Sequence, residues 1–269
     1  MGDLDLNGTA IKNCGESSGE DGDAVTMKYA INCLNRWLPA HVLGWFRENA
    51  RACFYFKTMN GFILYKRRIT GFKSQSKYHP VDAVSQKGPV IAVQLPSKAY
   101  CAFFTGKSRL SVPGVHLSST DMYTTLVITF KATKEIVSSP GENIITDCDR
   151  ALTVVDGDML IFGTSTSSMR ITPPKKLNEW NTVFVQWGSD EDPSGHVYME
   201  GNKHVEFTSN KGRSHFNELH IGGLSDDIPG FMNGYISTLE VYLTESPIPG
   251  EIRKLIMEDH QNTVKAGSI

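Results

Sequence analysis

A chain of 269 residues is long enough for one large all-β domain with an appendage, or for two modest domains. Its 40% hydrophobic and 21% charged residues are ordinary for a globular protein, and no stretch approaches the roughly 20 apolar residues that span a bilayer as a helix. The net charge of −2 excludes a global electrostatic pull toward nucleic acid or anionic membrane.

The acidic start, Met1-Gly2-Asp3-Leu4-Asp5, lacks the apolar core of a secretory signal. Leu4, Leu6 and Ile11 are isolated apolar residues in a strand-like segment. A turn-rich break over residues 15–23 follows. Then comes a short expected helix from Asp23 to Asn32, with Asp23 as its cap and Val25, Tyr29 and Asn32 one turn apart. Trp37, Trp45 and Phe46 lie on an expected helix or loop, where Trp37 and Trp45 suit an interface. Ala52–Phe56 and Gly61–Tyr65 read as a hairpin around Thr58-Met59-Asn60-Gly61. The run Lys66-Arg67-Arg68 reads as a solvated strand end, or else as a phosphate-binding patch. Residues 71–89 are polar, with Gly and Pro, and read as connection.

From Tyr100 onward the pattern is all-β. Strand candidates run from Tyr100–Phe104 through Leu110–Val112, Thr124–Lys131, Asn143–Thr146, Ala151–Val155, Met159–Gly163, Ser168–Ile171, Asn181–Trp187, His196–Glu200, Glu206–Ser209 and Glu218–Gly222 to Tyr235–Leu243. Turn chemistry such as Asp156-Gly157-Asp158 and Glu200-Gly201-Asn202 separates them, as in a sandwich or barrel. Strict alternation puts Ile236, Thr238, Glu240 and Tyr242 on one face of the last strand, and Leu239 and Val241 on the other. Pro249–Asp259 closes the pattern as a helix with Ile252, Leu255 and Ile256 on one face.

Six fragments in order resemble the laminin-G-like, concanavalin-A-like jelly roll. They are Ala102–Pro113, Leu126–Ala132 (with Thr129 where Trp is usual), Leu177–Trp187, Gly195–Asn202, Leu219–Gly223 and Phe231–Tyr242. The fold class this implies is mainly β: an antiparallel sandwich with a small amino-terminal β/α segment and a carboxy-terminal helix. At the amino end, Leu4–Gly15 followed by Gly22–Tyr29 resembles the trimerising repeat of bacteriophage tail fibres and related viral fibres. Cys14 replaces the usual Leu or Val there. That resemblance implies a homotrimer through Leu4, Leu6, Ile11, Val25 and Tyr29. The same segment also reads as a β-α cap packed on its own chain. Asp82-Ala83-Val84-Ser85-Gln86-Lys87 echoes the repeat faintly. The expected organisation is therefore a fibre-like segment over 1–34, a connecting collar over 35–95, the sandwich over 96–262 and a tail over 263–269.

The jelly roll hosts lectins, adhesion modules and hydrolases, so the site must decide. Hydrolases of this fold usually carry Glu-x-Asp-x-x-Glu on one strand, and no such run occurs; Glu200, Glu206, Glu240 and Glu245 read as structural or solvated. The expectation is a lectin-like binding protein and not an enzyme. It is a viral-type fibre head that engages a host glycan or cell-surface protein, with other virion proteins as further partners. A structural, capsid-associated protein is the alternative, and a glycoside hydrolase a more distant one. Rim loops 188–194, 210–216 and 224–232 are the expected contact surface, through Asp190, Glu191, Asp192, Lys211, Arg213, Asp226 and Asp227. Calcium is the cofactor to test against these acids, although neither acidic cluster has a clear partner, so no metal ligands are assigned. Trp180 and Trp187 could stack on a sugar, yet Trp180 matches a core position of the resembled family. His196 and His204 sit near one hairpin, where cross-strand packing is the default. Cys14, Cys33, Cys53, Cys101 and Cys148 show no metal spacing and read as free thiols, which suits folding in a reducing cytoplasm and action at a virion surface or outside the cell.

Overall fold

The computed structural model describes residues 4–6, 9–11, 40–57, 61–76, 80–95, 100–113, 115–116, 122–133, 141–146, 151–164, 167–189, 191–208, 215–216, 218–223 and 230–265. In chain order the elements are β1 (Leu4–Leu6), β2 (Thr9–Ile11), α1 (Ala40–Asn49), β3 (Ala50–Lys57), β4 (Phe62–Tyr65), β5 (Arg68–Phe72), β6 (Ala83–Lys87), β7 (Val90–Gln94), β8 (Tyr100–Thr105), β9 (Arg109–Val112) and β10 (Val115–His116). They continue with β11 (Tyr123–Ala132), β12 (Glu142–Thr146), β13 (Ala151–Val155), β14 (Asp158–Thr164), β15 (Ser167–Ile171), β16 (Asn181–Trp187), β17 (Ser194–Met199), β18 (His204–Thr208), β19 (His215–Phe216), β20 (Leu219–Ile221), β21 (Asn233–Thr244) and α2 (Gly250–Lys265).

The chain divides into two units, Met1–Ala40 and His41–Ile269. In the first, β1 and β2 form an antiparallel pair with Leu4 opposite Ile11 and Leu6 opposite Thr9. The helix expected from Asp23 lies outside the described residues, and with it Val25 and Tyr29.

The second unit is an antiparallel β-sandwich. One layer runs β18–β17–β16–β11–β21–β3. The other runs β15–β14–β13–β12–β20–β9–β6–β5, with β4 hairpinned onto β5. Strands β7 and β8 stitch the layers together: β7 pairs with both β5 and β8, and β8 with the first four residues of β21. The inner faces bury one core, with Leu126, Ile128, Phe130, Val185 and Leu239 from the first layer and Leu110, Val112, Leu152, Val154 and Ile221 from the second. Phe56 and Phe72 stack at 4.5 Å where β3 meets β5.

Three expectations need correction. Residues 50–94, read as hairpin, collar and connection, supply β3 to β7 of the same sandwich. The segment Ala83-Val84-Ser85-Gln86-Lys87 carries little apolar signal, because its strand character comes from hydrogen bonding to β5 and β9 on either side. Strict alternation in β21 fails at Ser237: the register shifts opposite Thr129 and Phe130, so Ile236 joins Leu239 and Val241 in the core while Thr238, Glu240 and Tyr242 face outward. The carboxy-terminal helix runs six residues beyond Asp259, to Lys265.

That outward face is not solvated. Helix α2 packs on β16, β11 and β21, and Phe46 of α1 stacks on Tyr242 at 4.8 Å. Every residue of β16 is consequently buried. Under α2 the sheet presents rows that follow from strand register: Thr182, Thr129 and Thr238, then Phe184, Val127 and Glu240, then Gln186, Thr125 and Tyr242. Polar groups at these depths need partners. Thr129 and Thr182 hydroxyls meet at 2.9 Å. Gln186 accepts the Ile248 amide at 2.9 Å. The Glu240 carboxylate accepts the Tyr242 hydroxyl. It also lies 3.3 Å from His260 Nε2. At the rim of this layer Lys57 Nζ reaches Asp259 at 2.6 Å.

Candidate functional site

Of the expected rim-loop contacts, Asp190, Lys211, Arg213, Asp226 and Asp227 lie outside the described residues. Glu191 is exposed. Asp192 is engaged by its own loop and by the start of β11. Its carboxylate accepts the Ser194 amide at 3.2 Å and the Tyr123 hydroxyl at 3.2 Å, while its amide donates to Ser189 Oγ at 3.1 Å. Hydrogen bonds from Ser194 hold this carboxyl below its ordinary range, with smaller contributions from Tyr123 and the nearby His196. Around Asp192 the loop is therefore a preformed edge, and Glu191 is exposed among its described acids. Of the expected trimer residues, Leu4 and Leu6 lie on β1 and Ile11 on β2. The four glutamates weighed as catalytic lie in separate contacts. Glu240 is buried beside His260, Glu245 pairs with Arg51 at 2.8 Å, Glu200 pairs with Lys175, and Glu206 stands opposite His196.

The structure assembles a different surface, on the outer face of the strands that join the two layers. Residues directly opposite one another in a sheet share a face. Register places Tyr65 opposite Arg68, Arg68 opposite Ile91, Ile91 opposite Phe103, Phe103 opposite Tyr235, and Tyr235 opposite Lys131. The result is one row across β4, β5, β7, β8, β21 and β11. Five strand spacings make it roughly 24 Å long. None of its six side chains is buried: Tyr65 and Arg68 are exposed, and Ile91, Phe103, Tyr235 and Lys131 are partly so. Phe103 and Tyr235 lie 4.7 Å apart with planes tilted by 32°, and Trp180 adds its ring 6.4 Å from Tyr235.

Local structure holds both ends of this strip. Trp180 sits on the loop before β16, whose carbonyls at Lys176 and Glu179 both accept from the buried Asn181 side-chain amide at 2.9 Å. The loop is tied to the end of β11 by the Ala132 amide donating to the Leu177 carbonyl at 2.8 Å. At the far end Lys66 (φ 49°) and Arg67 (φ 65°) both take left-handed backbone in the β4–β5 turn. Two consecutive positive-φ residues are what a tight two-residue hairpin demands, and side chains other than Gly or Asn carry strain there. That turn projects two cations beside Arg68, and Lys66 Nζ stands 5.3 Å from the Tyr65 ring centre. Ile63 and Val84, each 47% exposed, flank the strip across Gly71.

Aromatic faces interleaved with cations can stack on the C–H faces of sugars and pair with carboxylate or sulfate groups. In the sequence Trp180 and the Lys66–Arg68 run are separate features, because Tyr65 and Lys131 stand 66 residues apart in the chain. Among the described residues, the one set of metal-type donor atoms that converges is His196, His204 and Glu206, on the β17–β18 hairpin.

No known family profile matches this sequence, and no curated protein matches it. Solved structures do match the fold. The binding domain of botulinum neurotoxin serotype D/C superposes with a TM-score of 0.55 at 9% identity, over 77% of this chain and 52% of that one. The binding domain of botulinum neurotoxin DC, solved in complex with SialylT, gives 0.51 at 12% identity, over 72% and 51%. The serotype C1 binding domain gives 0.50 at 11% identity, over 71% and 52%. The chain thus spans about half the length of these neighbours, and at such identities the likeness is one of fold.

Proposed function

We propose that this protein is a glycan-binding module whose sandwich engages an acidic oligosaccharide along the Tyr65–Arg68–Ile91–Phe103–Tyr235–Lys131 strip. The observation that carries this reading is the register that aligns partly exposed aromatic rings with cations across six strands. The length of the row suits several sugar units, and Lys66, Arg67 and Arg68 supply the charge for carboxylated or sulfated residues. A neighbour of the same fold solved in complex with SialylT supports the substrate class. In this reading the preformed rim loop at 188–194 is a secondary contact, and Asp190, Lys211, Arg213, Asp226 and Asp227 extend it. The amino-terminal segment, through Leu4, Leu6, Ile11, Val25 and Tyr29, displays the sandwich in threes, as its resemblance to viral fibres implies, so that weak single sites gain avidity. The protein acts as an attachment protein at a virion surface or outside the cell, without catalysis.

A glycan array with the full chain tests this. Binding to sialylated or sulfated glycans that falls tenfold or more in Arg68→Ala and Tyr65→Ala, with unchanged melting temperature, is expected. Binding that ignores both substitutions, or silence across acidic glycans, overturns it. A protein partner is the second reading, favoured by the exposed apolar pair Ile63 and Val84. It predicts that Ile63→Ser abolishes binding to that partner while the array stays silent.

A further inference from the structure

We infer that His196, His204 and Glu206 form a surface site for a divalent ion of the zinc class. His196 on β17 stands directly opposite Glu206 on β18, and His204 lies two residues before Glu206 on the same face. Their donor atoms all lie within 4.8 Å of one another. His196 Nδ1 and His204 Nε2 are 3.3 Å apart, and His204 Nε2 is 4.0 Å from Glu206 Oε1. An ion with bonds of about 2.0–2.1 Å in tetrahedral geometry needs donors about 3.3 Å apart. The two imidazoles already have that separation, and a rotation of the exposed Glu206 carboxylate closes the other two edges.

The ligands are also held. The His204 ring stacks on Tyr198 with centroids 4.3 Å apart and planes within 3°. Arg253 of α2 lies over that same Tyr198 ring at 3.5 Å, so the helix braces the tyrosine that orients the histidine. Two imidazoles and one carboxylate suit a borderline-soft divalent ion better than calcium, which prefers all-oxygen sites. Three protein ligands leave a fourth position for water or for a donor from a bound molecule. The ion pins the outer hairpin of the layer. The site shares no residue with the aromatic strip and stands independently of the glycan reading. Without metal, the same nitrogens make a hydrogen bond between two imidazoles.

The test is zinc binding to the full chain after chelator treatment. Calorimetry follows zinc chloride, and visible spectroscopy follows cobalt(II) as a tetrahedral reporter. One high-affinity zinc per chain is expected, with an intense cobalt band. Affinity should fall at least about tenfold in His204→Ala and in His196→Ala, and to a smaller extent in Glu206→Gln. Thermal melts of each apo variant separate loss of the site from loss of the fold, and His204→Gln serves as the milder replacement if His204→Ala melts early. No binding, or binding and a cobalt spectrum unchanged by all three substitutions, overturns the assignment. The latter result would place the metal on other histidines or cysteines.

Discussion

Removing His260 tests whether the polar layer under α2 is a working part of the fold. Its side chain is fully buried, as is that of Glu240, 3.3 Å away. His260→Leu removes the imidazole beside the buried Glu240 carboxylate, which keeps the Tyr242 hydroxyl as a donor. Stranding one member of a buried pair costs about 3–5 kcal/mol. At about 2–4 °C per kcal/mol for a domain of this size, the melting temperature should fall by roughly 6–20 °C. The double variant His260→Leu, Glu240→Leu removes the buried carboxylate as well, but takes the Glu240 acceptor away from the Tyr242 hydroxyl at about 1–3 kcal/mol. Adding Tyr242→Phe removes that as well. The Thr129 hydroxyl keeps Thr182 as a partner throughout. The triple variant should therefore lie within about 1 kcal/mol of the natural protein. Urea unfolding followed by tryptophan fluorescence reads the series, since Trp187 is 4% exposed and reports core opening. A loss below about 1 kcal/mol in His260→Leu, or additive losses along the series, would refute the reasoning.

Two further outcomes follow from titrating groups. The Asp192 carboxyl is held below its ordinary range, first by hydrogen bonding from Ser194, so the clasp of loop 188–194 is fully present above the unfolded-state value and is lost as pH falls through the depressed folded one. Amide shifts of Ser189 and Ser194 across an acid titration check this, and Asp192→Asn should remove the transition. Burial pushes the Cys101 thiol up to about 12. It should therefore resist alkylation at pH 8 in the folded protein and react at the unfolding rate. Because its folded value is the higher one, stability from this thiol is complete below the ordinary value and declines as pH rises toward about 12.

The sandwich was legible in the sequence wherever a strand carries its own signal. Asn181–Trp187 and Ala151–Val155 have the same bounds in sequence and structure, because β-branched and aromatic runs bounded by turn residues define strands locally. Ala83–Lys87 is not legible in this way, because its pairing comes from β5 and β9, which stand at two different distances in sequence. The face of Ile236 departs from strict alternation for a related reason. The bulge at Ser237 answers the needs of β11 and of the bend toward β8, and neither is written in β21 itself.

Sequence alone determined that this chain is mainly β with a carboxy-terminal helix, since periodicity and turn chemistry are properties of short windows, and its resemblance to the jelly roll favoured a sandwich over a barrel. It also named Trp180, Lys66–Arg68, His196 and His204 as separate points. Only the tertiary structure decided what they are next to. Cross-strand register converts distant positions into neighbours: it sets Tyr65 and Lys131 in one row, and places His196 against Glu206. The packing of α2 decides which outward residues meet water and which, like Glu240, must find a partner in its absence.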